Sequence, residues 1–186
     1  MSQSSASPPP SPSAAPGRAS AQESAQENAQ VGAQDSAPAD APLRLLAVDA
    51  EDLDVLAAHL QDALVRVADM AYLPAARRFA LVGSRFDWCA LQEGRKAERA
   101  RTGLHFDYVT RVSHTGFDRS ANEAVLNVLH ISFEETDAPA GVATIHFSGG
   151  GALRLEVECL EAHVRDLGER WSAAATPAHP VEDADE

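Results

Sequence analysis

The feature that most constrains this chain is a train of strand-length segments joined by short loops. Leu43–Val48, Val65–Leu73, Arg78–Trp88, Gly103–Ser113, Val125–Phe133, Val142–Phe147 and Ala152–Val157 are rich in alternating or β-branched apolar residues. A parallel pair needs a crossover of a dozen or more residues. The loop at Pro74–Arg77 and the loop Ser148–Gly151 have only hairpin length, so the sheet is expected to be antiparallel. Pro74 sits where a turn accepts it, and Gly149, Gly150 and Gly151 permit the positive φ of a tight hairpin.

Two segments carry a helical period instead. Asp49 stands as an N-cap, Glu51 and Asp52 suit the first turn, and Leu53, Leu56, Ala57 and Leu60 follow at helical spacing, which predicts a helix over Ala50–Ala63. Leu160, Val164, Leu167 and Trp171 predict a second, C-terminal helix over Glu158–Trp171. Gln92–Arg101, charged and containing Gly94, reads as a loop or a short exposed helical excursion. The expected fold is α+β: an antiparallel, strongly bent sheet of six or seven strands with an N-terminal and a C-terminal helix. That order of elements is similar to the pleckstrin-homology-like barrels, with an open α+β layer as the second choice.

Composition divides the 186 residues into one core and two tails. Residues 1–42 contain no Leu, Ile or aromatic residue, and repeat AQES, AQEN, AQVG and AQDS from Ala21 to Ser36. Such a segment cannot offset its chain entropy by apolar burial and is expected to be a disordered, low-complexity tail. Residues 176–186 end in Glu182, Asp183, Asp185 and Glu186 and read as a disordered acidic tail. A single domain over 43–175 remains. No basic start followed by an apolar run marks a secretory signal, and no apolar stretch has the ~20 residues of a membrane span. Cys89 and Cys159 have no metal-type spacing and are expected to be reduced thiols, Cys89 as a small buried apolar residue. The expected compartment is the cytoplasm.

Catalytic signatures are missing. There is no Walker loop, no G-x-S-x-G and no H-E-x-x-H, and nothing calls for a cofactor. Cys159 lies between Glu158 and Glu161, acids that raise a thiol pKa and argue against a nucleophile. Charge is more informative. The chain carries −13 overall, yet Arg77–Arg119 holds nine basic and five acidic side chains, eight of the nine being arginine. Arginine suits bidentate contact with carboxylate or phosphate. The leading expectation is a non-enzymatic binding or scaffold domain whose contact face, around Arg78, Arg85, Arg111 and Arg119, meets an acidic protein or peptide. Nucleic acid is disfavoured by the net charge and by the lack of a stacking-aromatic motif. The alternative is a small metabolic enzyme or metal-binding protein. There His130 and His146, on neighbouring strands, would join Glu134 around a divalent ion.

The phrases LRLLAVDAEDLDVLAAHLQDALVRVADMAYLP, RRFALVGSRFDW, RTGLHFDYV and GGGALRLEVECLEAHVRDLG, taken in order, resemble an uncharacterised bacterial family of domains of unknown function found mainly in alphaproteobacteria. The resemblance covers Leu43 to about Pro180 and none of the N-terminal tail. It implies a small cytoplasmic protein and carries over no activity, cofactor or catalytic residue.

With no anchoring apolar residue in the N-terminal tail, removal of Met1–Asp40 should change core stability by less than about 0.5 kcal/mol. Urea unfolding of the truncated chain checks this; a loss of several kcal/mol would contradict it.

Overall fold

Asp49 caps a helix as its position predicts. Its side chain accepts the Asp52 amide at 2.8 Å, and α1 runs Ala50–Leu60 with Leu53, Leu56, Ala57 and Leu60 buried. The computed structural model, which describes residues 41–177, sets α1 on an antiparallel sheet of nine strands. These are β1 (Arg44–Ala47), β2 (Leu64–Leu73), β3 (Arg78–Phe86), β4 (Glu98–Phe106), β5 (Val109–Thr115), β6 (Val125–Asp137), β7 (Ala140–Phe147), β8 (Ala152–Val157) and β9 (Ala162–Ser172). A short helix, α2 (Trp88–Gln92), follows β3. The lateral order is β1-β9-β4-β3-β2-β6-β7-β8-β5.

Three hairpins, β2–β3, β6–β7 and β7–β8, join strands that are adjacent in sequence. The β7–β8 join uses Gly149 and Gly150 at φ 77° and 81°, where a side chain would be strained. β6 is the longest strand and belongs to both arms of the sheet: it pairs with β2 over Val125–Asn127, then with β7 from Val128 onward, with a bulge at Leu129. The start of β5 returns to the β2–β3 hairpin, where the Val109 amide donates to the Arg77 carbonyl at 2.8 Å. Both arms share one core, in which Phe79, Phe106, Ile131, Ile145, Phe147 and Leu155 are fully buried and α1 packs on β6 and β1. The void between Leu60, Val65, Ile131 and Ile145 is about 10 Å³, no more than one water, so it holds no internal chamber for a ligand.

The structure corrects several expectations. The C-terminal helix is the strand β9. Ala162, Val164 and Asp166 point inward while His163, Arg165 and Leu167 point out, a period of two. β9 is paired on both sides, with β1 and with β4. That non-local pairing outweighs a helical period to which four apolar residues fit by coincidence. Gly168, at φ 98°, interrupts the segment where a helix would need regular backbone. Without a capping C-terminal helix, the likeness to pleckstrin-homology barrels loses the element on which it rested. The strand foreseen over Gly103–Ser113 is two strands, because Tyr108 turns the chain at φ 57° between β4 and β5. The segment Gln92–Arg101, foreseen as a loop or a short helical excursion, starts at the end of α2 but already enters β4 at Glu98, and Cys89 is exposed. The tails expected over 1–42 and 176–186 lie almost wholly outside the described residues.

These positions separate two leucines of the chain sharply. Leu155→Ala should cost about 2–5 kcal/mol, whereas Leu167→Ala, with the side chain 48% exposed, should stay within about 0.5 kcal/mol. Denaturant unfolding of both variants checks the assignment of β9 as a strand.

Candidate functional site

The arginines of Arg77–Arg119 do not gather on one surface. Arg85 is buried at 3% exposure. Arg78 makes a fork on Asp107, Nε to Oδ1 at 2.6 Å and Nη2 to Oδ2 at 3.0 Å. Arg77 pairs with Glu158 at 2.6 Å, and Arg111 on β5 with Glu156 at 3.4 Å. Arg99 donates to the carbonyls of Asp62 and Ser84. Arg119 is exposed in the loop before β6. Arg78, Arg85, Arg111 and Arg119 therefore occupy a strand start, the interior, the far edge strand and a loop.

Arg85 sits where it does because β3 carries it under β9. Its Nε and Nη2 donate to the two oxygens of Asp166, both at 2.8 Å. Asp166 also accepts the Thr102 hydroxyl at 2.7 Å, the Leu43 amide at 3.0 Å and Arg170 at 3.3 Å. Asp87, the N-cap of α2, accepts the Ala90 amide at 3.1 Å and Arg170 at 2.9 Å. Burial alone would raise the Asp166 carboxyl, but the hydrogen bonds from Arg85, Thr102 and Leu43 outweigh it and hold the group below the usual carboxylate range. Asp87 is lowered in the same way, its burial outweighed by Ala90, Arg85 and Arg170.

Arg85, Asp87 and Arg170 of this network floor a cleft of about 370 Å³ between β1, β9, α1 and α2, rimmed by Arg44, His59, Cys89 and Arg95. Burial and the nearby Arg85 lower the proton affinity of His59. The charged floor is already satisfied. Two arginines meet two carboxylates, and both carboxylates have further donors. An incoming anion would have to displace an existing partner, at the cost of leaving a buried charge unpaired. The cleft is therefore a structural joint before it is a receptor.

The residues proposed for metal binding are only partly brought together. His130 and His146 are direct cross-strand partners with ring centroids 5.9 Å apart, and His146 bonds Ser132 at 3.1 Å. Glu134 lies four residues along β6 from His130, about 13 Å of strand, and is exposed opposite Val142. The three do not converge. Burial, then Glu161 and Glu158, raise the Cys159 thiol, as expected from its acidic neighbours.

A surface that sequence reasoning missed is the outer side of the sheet. Cross-strand register places Arg44, Arg165, Gly103 and Val82 in one row, and Arg101, Ser84, Leu64 and Asn127 in another. Arg66 and Val125 face each other across β2–β6, and Trp171 lies opposite Arg99. Nothing among the described residues covers this side. Leu64, Val125, Leu167 and Trp171 are all exposed, Val125 at 57% and Trp171 at 43%. Arg44, Arg101 and Arg165 make no ion pair among the described residues, and Arg66 reaches Glu123 only at 3.8 Å on open surface. A groove of about 270 Å³ runs between Leu64, Arg66, Val82, Arg101, Val125 and Trp171. Its signal was hidden because Leu167 and Trp171 fit a buried helical stripe when β9 is read as a helix.

Comparison with known families is decided by one match. The model of a family described as "Protein of unknown function (DUF2948)" covers residues 43–179. The chain belongs to that family. No match was found among curated proteins or among solved structures. The DUF2948 match spans β1 to β9 and so includes both the ion quartet and the outer face. No helix among the described residues is long and apolar enough to cross a membrane.

Both network carboxylates have lowered folded-state pKa values, so their contribution is complete above an unfolded Asp pKa of about 3.9 and is lost as pH falls through the folded values. Wild-type stability should therefore drop steeply below about pH 4. Asp166→Asn should be less stable at neutral pH by about 3–5 kcal/mol, with a shallower fall in acid. Urea unfolding across pH checks both; equal slopes for the two proteins would contradict the assignment.

Proposed function

We propose that the domain, residues 43–175, is a non-enzymatic binding module that holds an acidic, partly apolar protein segment on the outer face of β6, β2, β3, β4 and β9. The observation that carries this reading is the uncovered face itself. An antiparallel sheet commonly buries one face and presents polar residues on the other. Here the second face presents Leu64, Val125, Leu167 and Trp171 beside Arg66, Arg101 and Arg165. Trp and Arg are the side chains that dominate binding energy where they become desolvated at an interface. Arg44 and Arg165 stand directly opposite each other on β1 and β9. Like charges in that arrangement repel, and an anionic partner relieves the repulsion. The chain is at −13, which disfavours nucleic acid as the partner.

This reading keeps an acidic partner but moves the contact away from the paired arginines, retaining Arg101 alone from that group. The metabolic or metal-binding alternative through His130, His146 and Glu134 lacks a converging third ligand. A reducing compartment such as the cytoplasm suits the two free thiols, Cys89 and Cys159.

Affinity capture with the full chain, Arg101→Glu and Trp171→Ala tests the proposal, with circular dichroism as the check on folding. A partner held by the wild type should be lost with both folded variants and should weaken as salt rises, because exposed charge is screened. Equal capture by all three proteins would overturn the outer face as the contact surface.

A further inference from the structure

The second His pair of the sheet has what His130 and His146 lack. β4 and β9 place His105 opposite His163, with ring centroids 4.6 Å apart and planes 14° from parallel. Each imidazole points to a carboxylate: His105 Nε2 lies 3.6 Å from Asp107 Oδ2, and His163 Nε2 lies 3.1 Å from Glu161 Oε1. The backbone brings the two acids to the same place, since the Asp107 amide donates to the Glu161 carbonyl at 3.0 Å. One ligand atom from each of His105, Asp107 and His163 lies within 4.8 Å of the others. All of these side chains are partly exposed, so solvent and ions reach them.

We propose that His105, His163 and Asp107 form a binding site for a divalent transition-metal ion of the class that prefers imidazole. Two neutral imidazoles and a carboxylate are the donor set that suits zinc, copper or nickel, and Glu161 or water completes the coordination. Metal–nitrogen and metal–oxygen distances of about 2.0–2.2 Å put neighbouring ligands of one tetrahedral ion roughly 3.3–3.6 Å apart. Small rotations of half-exposed side chains close the remaining gap.

Arg78 is the orienting residue. Its fork on Asp107 occupies two of the roughly four lone-pair positions of that carboxylate and fixes its plane, leaving the others for an ion. The guanidinium opposes a cation, but Asp107 and Glu161 together outweigh its single charge. The site lies on the same outer side of the sheet, four residues along β4 from Arg101 and two along β9 from Arg165.

Zn²⁺ alone is the probe. Calorimetry on the full chain should find one ion bound per chain. His105→Asn and His163→Asn should each weaken binding by on the order of tenfold or more, whereas the double variant His130→Asn/His146→Asn should bind like the wild type. Nitrogen-15 spectra of the wild-type imidazoles give a reading that needs no variant: Zn²⁺ should move the ring signals of His105 and His163. The proposal is overturned if the wild type takes up no Zn²⁺, if the moving signals belong to other histidines, or if the His105 and His163 variants bind unchanged.

Discussion

The fork between Arg85 and Asp166 is the interaction on which the rest of this structure depends. It ties β3 to β9 inside the protein, and through Asp166 it also holds Thr102 of β4 and the amide of Leu43 at the start of β1. The Asp166 amide donates back to the Leu43 carbonyl, so β1 is anchored by both backbone and side chain of one residue. Arg170 extends the network to Asp87 and hence to α2. Removing four charges from water is expensive, and the arrangement is stable because each carboxylate has several donors and the charges balance. Five elements meet at this one joint.

The joint explains why an acidic protein with a cluster of arginines does not have a basic face where the sequence concentrates them. Arg85 is consumed inside, and Arg77, Arg78 and Arg111 meet acids on neighbouring elements. What remains available is set by the pleat. Residues that alternate with the core positions of β2, β3, β4, β6 and β9 project to the other side, where apolar side chains stand beside Arg101 and Arg165, which have no carboxylate partner among the described residues, and Arg66, which reaches Glu123 only at 3.8 Å. On that side, binding would replace water instead of breaking buried pairs. The His105–His163 pair lies farther along the same side, beside carboxylates that give it a different chemistry.

Much of the sheet was legible because strand alternation and hairpin turns are local signals. α1 was read with its cap at Asp49, and β2, β3, β6, β7 and β8 fell close to their segments. β9 was not legible from periodicity, since its identity comes from pairing with β1 and β4, segments far away in sequence. Gly168 was the available warning. The division of β4 from β5 at Tyr108 was hidden because a residue other than glycine took a left-handed turn. Site residues failed for the same reason as β9: with β9 read as a helix, nothing placed Asp166 and Arg170 beside Arg85 and Asp87. Opposition of His130 and His146 was foreseen from neighbouring strands; that of His105 and His163 required knowing that β9 is a strand.

A double-mutant cycle across the joint tests the account most directly. Arg85→Met and Asp166→Leu, alone and together, would be compared by urea unfolding at neutral pH. The account predicts that each single change costs about 3–5 kcal/mol by stranding the other charge, and that the pair costs clearly less than the sum. Single changes that cost under about 1 kcal/mol and add simply would contradict the claim that this pair holds the strands together.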